Sequence, residues 1–143
     1  MANWTGTARS NYVYFKPGTL DALKKLFDIK TETDPVGRRA IFPDTDNGSV
    51  PDLYDPDIEQ IKLLEDLGMD LAKNDDGEVD DLTMLDVIHL CLEENEIFIW
   101  MEIGAEKSRY VTGLAQAYDR TGMIKQVDLI DIYAGLTCTR AEF

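Results

Sequence analysis

Residues 96–104 read "EIFIWMEIG", and this stretch decides the fold class. Five of its residues, 97–101, form an unbroken apolar run. A short apolar run of this kind is typical of a strand that is buried on both faces of a sheet. We therefore predict that residues 96–104 form the central strand of the domain.

Four other stretches complete the predicted sheet. Residues 109–118 and 123–130 follow the central strand, and the "DRTG" between them favours a tight hairpin because Gly122 can adopt a positive φ. Residues 10–16, "SNYVYFK", and 38–42, "RRAIF", are rich in β-branched and aromatic residues or short apolar runs. The sequence thus predicts a mostly antiparallel sheet of about five strands.

Three segments show the apolar spacing of helices, and "DIYAGL" at 131–136 predicts a short terminal one. Thr19 is placed to cap the first, and Asp55 with Pro56 to open the second. The three segments and their apolar positions are 20–27 (Leu20, Leu23, Leu26, Phe27), 55–73 (Ile58, Ile61, Leu64, Leu71) and 82–95 (Leu82, Leu85, Ile88, Leu92). We predict a single α+β domain over residues 1–143, with the helices packed on one face of the sheet.

The negative charge is concentrated in the middle of the chain. Residues 44–96, the acidic segment, hold 18 Asp and Glu against Lys62 and Lys73, a net charge of −16. The other residues hold 10 acids and 12 bases. Since the whole chain carries −14, nearly all of its excess charge lies in this segment, which suggests a charged interaction surface.

The acids of this segment are predicted to form one binding surface. Helical spacing places Glu59, Asp66 and Asp70 on one face of the 55–73 helix, opposite its apolar stripe. The predicted surface also includes Asp75, Asp76, Glu78, Asp80 and Asp81 in the connection "NDDGEVDD", where Asp80 or Asp81 would cap the next helix, and Asp86 and Glu93 on that helix, beside Glu94 and Glu96.

Two interpretations of these acids remain open. Carboxylates four residues apart on a helix stand about 6 Å from one another, comparable to the spacing of phosphates along a nucleic-acid strand. Such a face could occupy a groove that evolved for DNA or RNA. The simpler interpretation is a solvated surface that keeps the protein soluble.

The sequence offers little support for catalysis, metal binding or cofactor binding. His89 and Cys91 lie beside an apolar stripe at a spacing that does not share a helical face, and a pairing of His89 with Cys138 has no motif behind it. Phosphate-binding loops and zinc spacings are absent from the sequence. "DTDNGSVPD" and "NDDGEVDD" both fail the EF-hand pattern, so we predict no catalytic residue, metal site or cofactor.

Composition also limits the kind of protein that this chain can be. Two cysteines in 143 residues indicate reduced thiols rather than a disulfide framework. The first ten residues lack the apolar stretch of a signal peptide, and the chain lacks a membrane-spanning run. We therefore expect a cytoplasmic protein with no membrane partner. Direct nucleic-acid binding is a poor prediction, because the cations that would gather near the first strands and the first helix form only a modest patch on a strongly anionic protein: Arg9, Arg38, Arg39, Lys24 and Lys25.

Two stretches carry a resemblance to known proteins. Residues 3–16, which include "GTARSNY", and residues 101–122, which begin with "MEIGAEKSRY", resemble small uncharacterised proteins of bacteriophages and plasmids. The resemblance implies a context, since small acidic proteins of mobile elements often block host restriction or CRISPR complexes, sometimes by imitating DNA. It implies no functional residues.

Together these observations favour a non-catalytic phage or mobile-element protein that binds a basic, nucleic-acid-handling host protein through its acidic segment. An anti-restriction or anti-CRISPR inhibitor acting as a nucleic-acid mimic is the most concrete form. The first alternative is a small-molecule or nucleotide binder that uses Arg9, Tyr12, Arg109 and Tyr110 to clamp a phosphate or carboxylate. The second alternative is a weak divalent-metal-binding protein. The sequence does not indicate which oligomeric state the protein adopts.

Overall fold

A computed structural model describes residues 4–44, 49–71, 79–106, 110–129 and 131. Along the chain its elements are β1 (Trp4–Ser10), α1 (Thr19–Leu26), β2 (Ile29–Thr33), β3 (Arg39–Pro43), β4 (Asp52–Leu53), α2 (Ile58–Asp66), β5 (Leu82–Thr83), β6 (Phe98–Glu106), β7 (Tyr110–Asp119) and β8 (Gly122–Asp128), with 3₁₀ turns at Met84–Asp86 and Ile88–Leu90. The predicted α+β class is confirmed. None of the described helices is both long and apolar enough to cross a membrane.

The main sheet has four antiparallel strands in the order β1-β6-β7-β8. The prediction that residues 96–104 form a central strand is confirmed with a shift of two residues, because β6 pairs with β1 on one side and with β7 on the other. Burial on both faces is not observed, since Met101 is 39% exposed. The β7–β8 hairpin is also confirmed, with Gly122 at φ 119°. The remaining described strands form two separate pairs, β2-β3 and β4-β5.

The core lies against one face of this sheet. Phe98 and Trp100 project from β6 into it, with their rings stacked at 6.4 Å between centroids. Leu23 of α1 and Leu64 of α2 belong to the same buried cluster, so both helices pack on that face, as predicted. Glu102 ties the acidic segment to the sheet, since its carboxylate accepts hydrogen bonds from Trp100 Nε1 and from the Val50 amide, each at 2.9 Å.

The prediction of a strand at residues 10–16 is wrong in its bounds. The strand ends at Ser10, and residues 11–16 make only isolated bridges from Val13 to Arg39 and from Phe15 to Leu92. Burial does alternate along this segment, since Val13 is buried and Tyr14 is exposed. The cause is that the segment packs between β3 and the 3₁₀ turns, and not that it belongs to a sheet. Pairing with β6 instead makes "WTGTARS" a strand despite its small residues.

The second helix is much shorter than the predicted 55–73. Asp57, rather than Asp55, is its N-cap, and a capping box joins Asp57 to Gln60. The helix ends before Gly68, which has φ 103°. The amide of Gly68 donates to the Glu65 carbonyl and that of Met69 to the Leu64 carbonyl, the pair of bonds that defines a Schellman motif.

The predicted helix at 82–95 is wrong. Its first residues form β5, and two 3₁₀ turns follow, the first closed by a capping box between Thr83 and Asp86. Neither Asp80 nor Asp81 is therefore a helix cap. The buried residues of this segment are Met84, Leu85, Val87, Ile88, Cys91 and Leu92. Their spacing also suits three residues per turn, so it could not distinguish the two helix types.

The other predicted elements are close to those observed. Helix α1 spans Thr19–Leu26, but its N-cap is Gly18, and Thr19 Oγ1 donates to the carbonyls of Lys16 and Cys91. Strand β3 matches the predicted 38–42 within a residue, whereas its partner β2 was not predicted. Of the predicted terminal helix 131–136, residues 132–136 lie outside the described residues.

Candidate functional site

A two-residue strand pair brings together acids that are far apart in sequence. In the β4-β5 pair, Asp52 lies opposite Thr83 and Leu53 opposite Leu82. The amide of Asp55 donates to the Asp81 carboxylate at 3.2 Å, which holds the two flanking loops side by side. Six exposed carboxylates lie on these two strands or within a few residues of them along the chain, and we call them the acidic loop cluster: Asp52, Asp55, Asp57, Asp80, Asp81 and Asp86.

An exposed aromatic ring belongs to this cluster. Tyr54 is 65% exposed, and its hydroxyl donates a 2.8 Å hydrogen bond to Asp52. That hydrogen bond, the negative charge of Asp52 and the more distant charge of Asp81 raise the pKa of the Tyr54 phenol. The ring thus presents a neutral, amphipathic surface among carboxylates. Tyrosine is enriched at protein–protein interfaces relative to the rest of the surface.

Helix α2 extends the acidic surface. Glu59, Glu65 and Asp66 are exposed on it, and their side chains make no hydrogen bond or ion pair within the described part of the chain. Asp70 was predicted to continue the face of Glu59 and Asp66. That prediction is wrong, because Asp70 follows the left-handed turn at Gly68 and is not on the helix.

The other predicted surface residues have mixed environments. Asp86 accepts hydrogen bonds from the Thr83 amide and hydroxyl, so it is partly committed to closing the 3₁₀ turn. Glu93 is half-buried, and its amide donates to the Tyr14 carbonyl. Asp75, Asp76 and Glu78 lie outside the described residues.

Within the residues that the structure describes, ion pairs neutralise little of the acidic segment. Among the residues that the structure describes, the ion pairs are Lys30–Asp44 at 3.3 Å and Arg38–Asp34 at 2.7 Å. Only the first involves an acid of the segment. Its described acids therefore repel one another through solvent, by roughly 0.4 kcal/mol for two unit charges about 10 Å apart in water.

We expect salt to stabilise this protein. Raising NaCl from about 0.01 M to about 0.1 M shortens the Debye length from about 30 Å to about 10 Å. Relief of several weak repulsions should add about 1 kcal/mol to the free energy of unfolding, which corresponds to a rise of about 3–6 °C in the thermal midpoint. KCl should raise the thermal midpoint by the same amount as NaCl, because the effect is one of ionic strength. A midpoint that stays flat or falls with salt would show that the acids are paired.

The chain matches no protein-family model, no curated protein and no solved structure.

The structure describes the side chains of two of the four residues of the alternative ligand site, Arg9 and Tyr12. The guanidinium of Arg9 lies 4.6 Å from the ring centroid of Phe42 and 5.6 Å from that of Tyr12. The Tyr12 hydroxyl donates to Glu32, a contact that raises the pKa of the phenol. Arg109 and the side chain of Tyr110 lie outside the described residues. Arg9 is thus held by aromatic stacking, and the anion clamp remains a prediction.

The environment of Cys91 makes it a poor nucleophile. The residue is fully buried, and burial raises the pKa of its thiol to about 12. The sulfur donates weakly to the Val87 carbonyl at 3.8 Å. His89 is half-buried in the neighbouring 3₁₀ turn, and Cys138 lies outside the described residues. At neutral pH the Cys91 thiol is therefore protonated and shielded from solvent.

Two further features of the described residues bear on metal and ligand binding. No group of three or more His, Cys, Asp or Glu side chains among them is arranged to hold a metal ion. An open cleft of about 260 Å³ is lined by Lys16, Arg39 and Asp21 beside the start of α1. Its mixed charges give no clear ligand preference.

Sequence reasoning found the acids but missed their grouping. Two-residue strands such as β4 and β5 are too short to produce an alternating pattern. The capping motif "DIEQ" at 57–60 and Gly68 were visible in the sequence, and both would have given the true bounds of α2.

Proposed function

We propose that this protein is a non-catalytic binding protein whose acidic surface docks on a basic, nucleic-acid-handling protein. The observation that carries the proposal is the arrangement of the acidic loop cluster and α2. Together they present exposed carboxylates that are not paired with cations of the described chain, around the exposed ring of Tyr54.

Electrostatics gives this surface a preference among partners. A basic partner neutralises charges that repel one another in the free protein, so association relieves repulsion as well as adding attraction. Complementary fields also accelerate encounter, and the acceleration falls as salt rises. Partners that have evolved to bind phosphates carry dense Lys and Arg, and they therefore match this surface best.

The most specific form of the proposal is an inhibitor of host defence nucleases that imitates nucleic acid. Support comes from the resemblance to mobile-element proteins and from the density of exposed carboxylates on two adjoining elements. The inhibitor would occupy the DNA-binding groove of a restriction or CRISPR nuclease and would compete with duplex DNA.

Charge reversal at three positions tests the proposal. Glu59→Lys, Asp66→Lys and Asp80→Lys change exposed side chains with no intramolecular bond in the described chain, so the fold should persist. The assay is cleavage of a labelled duplex by a panel of purified restriction and RNA-guided nucleases. The parent should inhibit at least one of them, and the triple variant should be weaker by about tenfold or more, equivalent to about 1.4 kcal/mol.

A matched control separates position from net charge. Asp21→Lys, Asp28→Lys and Asp131→Lys make the same change in net charge on exposed acids outside the acidic segment. This control should inhibit as well as the parent, and excess duplex DNA should relieve its inhibition. Equal inhibition by both triple variants would contradict an acidic binding surface, and failure of the parent on every nuclease would contradict the anti-defence form.

A further inference from the structure

The four-stranded sheet has a second face that none of the described helices covers. Side chains alternate along β6, so Phe98 and Trp100 enter the core, whereas Met101 and Ile103 point to the other side. We call that other side the open face. Its described residues are Thr7 and Arg9 on β1, Ile99, Met101 and Ile103 on β6, Gly113, Ala115 and Ala117 on β7, and Lys125 and Val127 on β8, with Leu129 over Gly113.

The open face is apolar on its two interior strands, β6 and β7, has Thr7, Arg9 and Lys125 on its two edge strands, and is solvent-accessible. Ile103 is 54% exposed, and Met101, Val127 and Leu129 are exposed as well. Four strands about 4.8 Å apart and seven to ten residues long at about 3.3 Å each give this face a projected area of about 450–650 Å². The apolar part of this face is smaller, within the size range of the largest apolar patch on a typical monomer, which is often functional.

Charge distribution indicates what can approach this face. The chain has 28 acids, but side-chain alternation along the strands places only Asp119, at the β7–β8 turn, on the described part of the open face. Elements of the acidic segment pack on the opposite face, where Leu64 and Ile88 join the core. Two copies that meet through their open faces would therefore keep their acidic segments on the outer sides of the assembly.

The open face has large side chains on β6 beside small ones on β7. Ile99, Met101 and Ile103 form a ridge on β6, and Ala115 and Ala117 form a trough beside it on β7. In a two-fold pairing, the ridge of one copy fits the trough of the other, and the reverse contact is identical. Sheets stacked in this way lie about 10 Å apart. The two faces would bury about 900–1,300 Å² in total, at the lower end of specific interfaces.

We propose that the open face is the interface of a homodimer, with the β6 ridge of each copy seated in the β7 trough of the other. The inference is independent of the proposed function, because it concerns the opposite side of the sheet. The modest area implies a concentration-dependent equilibrium between monomer and dimer rather than an obligate dimer.

Sedimentation velocity over a range of protein concentrations tests the proposal. The parent should shift from one to two chain masses as concentration rises. Ala115→Glu should weaken dimerisation at least tenfold, because it places a charge in the trough. Ala115→Leu should also weaken it, because it fills the trough without adding charge. Ile58→Glu, on a residue of α2 that is 86% exposed, is the matched control and should dimerise like the parent.

Several results would overturn the proposal. One is a parent that remains a single chain mass at all concentrations, whatever else covers the open face. Another is a dimer that both Ala115 variants retain. Circular dichroism of each variant confirms that it is folded, and if Ala115→Glu does not fold, Ala115→Leu alone decides the question.

Discussion

Replacing Trp100 with alanine is expected to lower the free energy of unfolding by about 3–5 kcal/mol. The indole is 1% exposed and stacks on Phe98, so its removal leaves a large cavity at the centre of the core. It also removes the Nε1 donor of the hydrogen bond to Glu102. Since a domain is stable by only about 5–15 kcal/mol, this one substitution should remove a large share of the total.

Urea denaturation measures this effect, and Ile58→Ala is its control. Ile58 is 86% exposed, so truncating it should change the free energy of unfolding by less than about 0.5 kcal/mol. Trp100→Phe should fall between the two, because it keeps an aromatic ring in the core. A loss below about 1 kcal/mol for Trp100→Ala would mean that the indole is not buried as described.

The second large effect is expected at Ser10, a fully buried polar residue. Its hydroxyl accepts a hydrogen bond from the Ile41 amide and donates one to the Asn11 carbonyl, both at 2.8 Å. Ser10→Ala leaves the buried Ile41 amide without that acceptor, which should cost about 1–3 kcal/mol. The bond joins β1 to β3, so the substitution loosens the contact between the main sheet and the β2-β3 pair.

Thr7→Ala is the matched control for Ser10→Ala. Thr7 lies on the same strand with its side chain on the opposite, exposed face, so its hydroxyl can be lost at a cost of less than about 0.5 kcal/mol. Hydrogen exchange at the Ile41 amide gives a second readout, and it should accelerate in Ser10→Ala alone. If the two variants had equal free energies of unfolding, the Ser10 hydrogen bond would not stabilise the fold.

The C-terminal part of the fold could be predicted from sequence because two signals agreed. The apolar run at 97–101 indicated an interior strand of the sheet, and "DRTG" indicated the β7–β8 turn through a residue that tolerates a positive φ. Local propensity and global pairing therefore pointed to the same structure. For β1 they disagreed: "WTGTARS" has little strand propensity, and only its partner β6 makes it a strand.

The middle of the chain was harder because burial without a sheet or long helix leaves an ambiguous pattern. Residues 84–92 are apolar at positions that suit both an α-helix and successive 3₁₀ turns. The density of acids in the candidate site could be predicted from composition alone. Their grouping around Tyr54 could not, because it depends on the tertiary pairing of β4 with β5.

The pairing of β1 with β6 has a consequence for biosynthesis. The side chain of Asn11, at the end of β1, accepts a hydrogen bond from the Ile99 amide, 88 positions later in the chain. At about 5–20 residues per second, the ribosome needs roughly 5–20 s to supply that partner. During this interval residues 4–10 have been synthesised, whereas the strand that pairs with them has not. Completion of the sheet must therefore await the synthesis of β6, β7 and β8, and chaperones that bind extended segments have time to engage residues 4–10.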